Sequence, residues 1–324
     1  MKGSIGHLQP HEVPALCELF QRVFSVTLTP EARHWKYEQG PRLGSLSLVA
    51  RDGAGALVGH VGALVFPGVC QGRALPMAQV CDIMVDSRAR GGLDAGGVYG
   101  RLMQALQAEL SHTHPDVLAY GFAGIRPYRL GERMGLYRSG QPCRLGLLED
   151  VVEVSAAKLP GAHSAAGSVA WPWRLTARRT SWAHPALGRL WTQLGVPSPT
   201  PLVARTPAYL HWRYATHPSC RYQPWLLQRW ARPVGWVFTR VLPNGTVCLV
   251  DQLLPAGVSP AQAAAAVLAQ GAGAPAPNPS VGSWWMHTEA SARLEPIIGG
   301  EVVVDARQGP GLLPRFQPGD TDVF

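Results

Sequence analysis

One four-residue signature occurs twice in this chain of 324 residues: His34-Trp35-Lys36-Tyr37 returns as His211-Trp212-Arg213-Tyr214, 177 positions later. Three more pairs follow in the same order. Val58-Gly59-His60-Val61 is answered by Val234-Gly235-Trp236-Val237. Asp82, within Val80-Cys81-Asp82-Ile83-Met84-Val85, is answered by Asp251, within Leu249-Val250-Asp251-Gln252-Leu253-Leu254. Arg129-Leu130 with Gly135 is answered by Arg293-Leu294 with Gly299. The offset falls from 177 through 176 and 169 to 164, so the second copy is the shorter one. Ordered anchors at a nearly constant spacing mark a duplicated folding unit, and the length suffices for two cores. The expected organisation is a first domain over 1–154, a connecting region over 155–205 and a second domain over 206–324.

Local patterns make the repeated unit α/β. Strands are expected at Ser4–Leu8, Leu46–Arg51, Leu57–Phe66, Met77–Val85, Val117–Phe122 and Arg144–Val154. The run Met77–Val85 is nearly all apolar, as a strand buried on both faces should be. Helices are expected at His11–Phe24, where Leu16, Leu19, Phe20 and Val23 share a face, and at Glu31–Tyr37, with Pro30 suited to its first turn. Further helices are expected near Val98–Ser111, Pro127–Met134 and Pro185–Leu194.

Composition narrows the class. Hydrophobic residues are 46% and charged residues 15%, which excludes a solvated or disordered chain. No apolar run reaches the roughly 18 residues of a membrane span, and the opening residues, interrupted by Pro10, His11, Glu12 and Pro14, do not read as a signal peptide. The six cysteines (Cys17, Cys70, Cys81, Cys143, Cys220 and Cys248) lie far apart, without metal-ligand or disulfide spacing. The expectation is a cytoplasmic protein with free thiols and no metal. The net charge of +8 is uneven: Val154–Val250 holds eleven basic residues and no acidic one, leaving 18 basic residues against all 21 acidic ones elsewhere. Such a block suits an anionic partner. Its arginines are spread out and adjoin Trp or Pro, which argues against nucleic acid.

The segment Val85–Leu102 carries the chemistry. It links the buried strand to a helix through Arg88, Arg90, Gly91, Gly92, Gly96, Gly97 and Gly100. Glycines let backbone amides approach an anion, the helix start adds orphan donors, and the arginines add cations. Together these suit a pyrophosphate. A P-loop is excluded because the segment has no Lys, and a dinucleotide fingerprint because Ala95 stands at its first glycine.

With these residues the chain resembles the GNAT (Gcn5-related N-acetyltransferase) superfamily. Arg90-Gly91 is similar to the start of its acetyl-CoA loop, and Gly97-Val98-Tyr99-Gly100-Arg101-Leu102 to its end. About four additional residues lie between them, Ser87 stands for the usual Pro and Tyr99 for the usual Gly or Ala. The resemblance covers about residues 1–150; residues 206–324 look like a degenerate second copy that has no such loop. It implies two GNAT-like units, each with a mixed, mostly antiparallel twisted sheet flanked by helices. It implies acyl-CoA as cosubstrate, bound by Met84, Val85, Arg88, Arg90, Gly91, Gly96, Gly97, Val98, Tyr99 and Gly100, and direct transfer to a small-molecule or glycan-linked amine. Such chemistry needs oxyanion donors, a base and an acid. The family's usual tyrosine acid is replaced by Gly131, and Tyr128, one turn earlier, is the substitute. Asp82 is the base, with His60 a second choice; because Asp251 repeats Asp82, a purely structural pairing stands beside the catalytic reading. A fold that binds ligand without chemistry is the alternative function.

Overall fold

The computed structural model describes residues 3–90, 96–142, 144–147, 175–241, 247–270, 281–285 and 300–305, together with Asp320. The chain forms two compact units, and each draws on several stretches of sequence. The first comprises Met1–Pro142, Pro199–Ala204 and Gly299–Pro314; the second comprises Cys143–Ser198, Arg205–Ile298 and Arg315–Phe324.

The main sheet of the first unit contains β1 (Ile5–His7), β2 (Gly44–Arg51), β3 (Leu57–Phe66), β6 (Met77–Val85), β7 (Leu118–Gly124), β8 (Tyr137–Pro142) and β16 (Gly300–Asp305). Their order is β1-β2-β3-β6-β7-β16-β8. Neighbours are antiparallel except β6 and β7, which run parallel. A small side sheet joins β4 (Gly68–Cys70) to β5 (Arg73–Ala74) and to β11 (Leu202–Val203). Sequence periodicity places no strand at β8, whose Tyr-Arg-Ser-Gly-Gln-Pro lacks apolar alternation; a polar strand with Gly and Pro is tolerated because β8 lies at the sheet edge. The strand expected at Arg144–Val154 begins as β9 (Arg144–Leu147), and residues 148–154 lie outside the described residues.

Helices cover both faces of this sheet. Helix α1 (Val13–Phe24) ends where Ser25 turns left-handed, at φ 57°. Helix α2 (Pro30–Glu38) starts from Thr29, whose hydroxyl accepts the Ala32 amide. Leu16 and Leu19 of α1 pack on Val49, Leu57 and Met84. On the opposite face, Leu102, Leu106 and Leu110 of α3 (Val98–Thr113) pack on Val61, Ala63, Val65 and Ala78. Helix α4 (Ile125–Arg133) adds Tyr128 to that second cluster. Two covered faces explain why β3 and β6 read as continuous apolar runs.

The second unit has β10 (Thr176–Arg179), β12 (Gln223–Arg229), β13 (Arg232–Val241), β14 (Val247–Leu253), β15 (Val281–Trp285) and β9, in the order β10-β12-β13-β14-β15-β9. Again one neighbouring pair, β14 and β15, is parallel. Helix α5 (Pro185–Leu190) runs on as a π turn, Trp191–Gly195, and α6 (Pro207–Leu210) as another, His211–Ala215. Helix α7 (Pro260–Leu268) packs Ala263, Ala264 and Val267 on Leu227, Val237 and Leu249. The duplication is therefore structural: β1, β2, β3, β6 and β7 correspond in order and direction to β10, β12, β13, β14 and β15. The strand beside the parallel one comes from far along the chain in the first unit (β16) and from before its other strands in the second (β9). Among the described residues no helix is long and apolar enough to cross a membrane.

The repeated Val-Gly pair has a packing cause. A Cβ on Gly59 would stand 2.9 Å from Val98 and 3.3 Å from the Met84 carbonyl; on Gly235 it would stand 2.5 Å from the Leu253 carbonyl. Only glycine lets these backbones lie so close. Gly235→Ala is expected to destabilise the fold by about 1–3 kcal/mol, the usual cost of overpacking. Urea unfolding followed by tryptophan fluorescence checks this, and an unchanged midpoint would show that the close approach is dispensable.

Candidate active site

In the first unit the ladder between β6 and β7 runs only from Met77↔Leu118 to Val80↔Gly121. Beyond it β7 pairs with β16, as far as Gly124↔Gly300. Strand β6 continues to Val85 paired with β3 alone. Two parallel strands that both continue after their ladder ends must diverge, so the Cys81–Val85 edge of β6 faces a gap. Met84 and Val85 lie on this edge with side chains packed inward, which leaves their backbone as the part that can meet a ligand there.

A bulge shapes the same edge. Opposite Val61 of β3, strand β6 carries both Asp82 and Ile83, because the register steps from Gly62↔Cys81 to His60↔Met84. Asp82 takes a left-handed conformation, φ 50°, at a cost of roughly 1–2 kcal/mol for an L residue. The extra residue turns Cys81 and Asp82 to one face, where both meet the Tyr37 hydroxyl of α2. It donates to the Asp82 carboxylate at 2.6 Å and lies 3.5 Å from the Cys81 sulfur. Lys36 Nζ donates to both carboxylate oxygens, at 2.8 and 2.9 Å. Burial raises the Asp82 pKa, but the Lys36 charge, its hydrogen bonds and the Tyr37 hydroxyl outweigh this, so the net shift is downward. Burial drives the Tyr37 phenol upward, and the neighbouring carboxylate adds to that. The Asp82 carbonyl accepts from His60 Nδ1 at 2.9 Å, and His60 Nε2 lies 2.8 Å from the Ser47 hydroxyl. Gly62 leaves room for this network: a Cβ there would fall 2.0 Å from the Tyr37 oxygen.

The loop residues divide. Asp86 caps the short turn Ser87–Ala89 by accepting the Arg88 amide. Its carboxylate also takes the Arg88 guanidinium, at 3.1 and 2.9 Å, and Arg22 Nε, at 3.3 Å. These bonds, Arg88 first, hold the Asp86 pKa far below the usual carboxylate range. Arg88 therefore spends its charge on Asp86. Arg90 is exposed, donates to the Val85 carbonyl at 3.0 Å and has no acidic partner among the described residues. Gly91 lies outside the described residues. Gly96 and Gly97 lead into α3, where Gly97 is the N-cap, Val98, Tyr99 and Gly100 form the first turn, and no acidic residue occurs in that turn. A helix start capped by Gly97, with no acidic residue in its first turn, fits an anion such as the CoA pyrophosphate.

Tyr128 is buried among the α3-side core residues, and its hydroxyl donates to Glu132. Asp82 points to the α1–α2 face, so the two residues lie on opposite faces of the sheet and share only the gap between β6 and β7. Sequence reasoning did not single out Lys36, Tyr37, Ser47 or Asp86 as site residues. For Lys36 and Tyr37 the signal was present, because the same signature accompanies the same Asp in both copies.

The second unit repeats the grip with different partners. Tyr214 donates to Asp251 at 2.5 Å, and Arg205 Nε binds it at 2.9 Å. Arg205 also binds Asp320 at 2.6 Å. Both carboxylates and Arg205 are almost wholly buried. The opening of α7 differs from that of α3: Ser259 accepts the Gln262 amide while the Gln262 side chain accepts the Ser259 amide, a capping box that fills the helix entrance.

These geometries agree with what the chain is similar to. A family profile described as an acetyltransferase (GNAT) domain matches residues 4–138. A probable N-acyltransferase from Enterococcus faecalis superposes with a TM-score of 0.64 at 16% identity, covering 94% of this chain and 72% of that one. A GCN5-related N-acetyltransferase from Anabaena variabilis gives 0.63 at 12% identity, covering 93% and 72%. A tandem GNAT protein from the clavulanic acid biosynthesis pathway gives 0.57 at 14% identity, covering 95% of this chain and 99% of its own. A comparison with curated proteins gives no match.

Asp82 and Lys36 are both nearly buried, with side chains 10% and 12% exposed. Lys36→Met should leave an uncompensated carboxylate and cost about 3–5 kcal/mol at neutral pH. The double variant Lys36→Met/Asp82→Asn should recover most of that loss. The lowered pKa also fixes the sign with pH: the pair's stabilisation is complete above the ordinary aspartate value near 3.9 and disappears as pH falls through Asp82's lower folded value. Denaturant unfolding across acidic pH checks both, and additive single and double losses would refute the coupling.

Proposed function

We propose that this protein, whose residues 4–138 match a GNAT acetyltransferase domain profile, is an acyl-CoA-dependent N-acyltransferase, of the N-acetyltransferase type, with one active site per chain, in the first unit. The observation that carries the reading is the pairing of an open β6 edge with an acid-free helix entrance. The pantetheine arm and thioester lie along the Met84–Val85 backbone, and the pyrophosphate meets Arg90, Gly96, Gly97 and the first turn of α3. The second unit keeps the split sheet but closes its helix entrance with Ser259 and Gln262, which supports a non-binding partner role for it.

Transfer is direct. The acceptor amine attacks the thioester carbonyl, the β6 backbone stabilises the developing oxyanion, and the proton leaves the ammonium as the C–S bond breaks. Asp82, ionised at neutral pH, attracts and orients the amine and receives its proton. Tyr128 is the acid for the departing thiolate and must exchange its bond to Glu132 for one to sulfur. The acceptor is a small-molecule or glycan-linked amine. The protein works in the cytoplasm, with acetyl-CoA or a related acyl-CoA and without a metal.

One observation favours a second reading. Asp82 is engaged by Lys36 and Tyr37, and Tyr128 by Glu132, which also suits a fold that binds CoA and transfers nothing. Thermal unfolding and thiol release separate these. Acetyl-CoA at a hundred times its Kd is expected to stabilise the protein by about 2.7 kcal/mol. Arg90→Glu and a bulky residue at Gly97 are expected to abolish the shift. No shift in the unmodified protein would end the acyl-CoA reading, whereas a shift without thiol release across an amine panel would select the second. If transfer occurs, Asp82→Asn and Tyr128→Phe should each lower kcat by about 10²-fold, the scale of general acid–base catalysis.

A further inference from the structure

Asp82 is the one residue of β6 with left-handed backbone, and the second unit has no equivalent: Asp251 sits beside a register shift too, yet its φ is not positive. The copies also differ in the residue after the repeated Val-Gly pair. In the first unit it is His60, fully buried on β3 and paired with Met84 at the edge of the bulge; in the second it is Trp236, paired with Leu253, while the register shift there lies at Phe238 and Thr239. Trp236 stacks flat on Phe238 at 4.3 Å between ring centroids and offers nothing to the bulge, its indole nitrogen being buried without a hydrogen-bond partner.

We infer that His60 is a positioning residue that fixes the Asp82 bulge through its backbone, and so sets the direction in which the following β6 peptides present themselves to a thioester. The geometry defines its state. A carbonyl oxygen only accepts, so the 2.9 Å contact to Asp82 requires the proton on Nδ1. Burial holds the ring below the ordinary histidine pKa, so in the neutral ring Nε2 is an acceptor, and the Ser47 hydroxyl 2.8 Å away donates to it. The groups facing the ring are Ser47 on β2, Tyr37 on α2, in edge-to-face contact at 6.3 Å, and the Asp82 backbone; burial opposes a positive charge on the ring, the Asp82 carboxylate favours one, Lys36 and Arg33 on α2 oppose it, and the net shift is downward. The imidazole is thus a neutral clamp. Its proton stays on Nδ1, where no acceptor amine can deliver or take one. Asp82 is gripped twice: Lys36 and Tyr37 hold the carboxylate, and His60 holds the carbonyl. The second grip is the one that acts on the backbone orientation of Ile83, Met84 and Val85.

This assignment rests on the acyl-CoA reading for what the held edge is used for, but the clamp itself is testable without any ligand. Nitrogen-15 NMR of the full-length protein should find the His60 ring as the neutral Nδ1–H form from about pH 5 to 8, a range in which a solvated histidine titrates. The Nε2–H form, or an imidazolium in that range, overturns the inference. Hydrogen exchange read by mass spectrometry gives the second arm. His60→Phe should speed exchange of the Asp82–Val85 amides by about tenfold, the equivalent of one net hydrogen bond. His60→Asn, whose amide nitrogen can stand where Nδ1 stood, should leave it near the wild-type rate. If His60→Phe does not fold, Ser47→Ala takes its place and should speed the same amides by a smaller factor; unchanged exchange in the variant used overturns the inference. The third arm reads the use of the clamp by calorimetry: His60→Phe, or Ser47→Ala in its place, should lose the preference of the protein for acetyl-CoA over free CoA while binding free CoA as before, and His60→Asn should keep it. Equal loss of both ligands would instead mark His60 as merely structural. If the wild-type protein binds neither ligand, the acyl-CoA reading falls, and the NMR and exchange arms still decide the clamp.

Discussion

A carboxylate buried on a bulged strand, held by a tyrosine hydroxyl and a cation, organises each unit of this protein. Burying an aspartate costs several kcal/mol unless its charge is met and its oxygens are hydrogen-bonded. At Asp82 that demand is met from α2, which supplies Lys36 and Tyr37 from adjacent positions. The demand therefore fixes where α2 lies on the sheet, and Gly62 follows from it, since the Tyr37 oxygen fills the space a side chain would need. The bulge itself turns Cys81 and Asp82 to the same face. It occurs just past the last β6–β7 pair, Val80↔Gly121, where β6 loses its neighbour and its backbone becomes available.

The duplicated units keep this demand and change how it is met. In the second, Tyr214 retains the role of Tyr37, but the cation is Arg205, eight residues before Arg213, which is the sequence counterpart of Lys36. Arg205 brings a second carboxylate, Asp320, into the same interior. A Lys ammonium is a point charge that can be consumed by one carboxylate, whereas the guanidinium fork presents several donors and can serve two. Replacement of His60 by Trp236 and of a glycine helix entrance by the Ser259–Gln262 box completes the divergence. Each change puts a side chain of the second unit where the first has a hydrogen-bonded histidine or a glycine-led helix start.

Much of this was legible in the sequence, and the exceptions have physical causes. The periodic runs Leu57–Phe66 and Met77–Val85 are β3 and β6 as expected, because strands covered on both faces must be apolar throughout. Asp82 and Asp251 stood out because a charge inside such a run needs a partner; which partner was not legible, since pairing across 45 or 46 positions depends on the tertiary fold. Strand β8 was lost because an edge strand need not be apolar. That β9 and β16 join sheets far from their sequence neighbours was not legible either, because a strand's pattern records its faces and not its edges. The bulge left no sequence mark beyond the Asp, which tolerates a left-handed backbone better than most residues.

Counting charges along the sequence also misplaces them. The acid-free stretch Val154–Val250 suggests a positive surface, yet Arg205 and Arg213 within it are buried, and Arg205 is neutralised by Asp251 and Asp320, which lie beyond the stretch. The same logic acts at the loop of the first unit. Of Arg22, Arg88 and Arg90, Asp86 takes the first two. Arg90 donates to a carbonyl, that of Val85, on the edge of β6 itself. A carbonyl orients a guanidinium without cancelling its charge. Asp86 thereby engages two of these charges and leaves Arg90, at the β6 edge, without an acidic partner among the described residues, where a phosphate-bearing cosubstrate would find it.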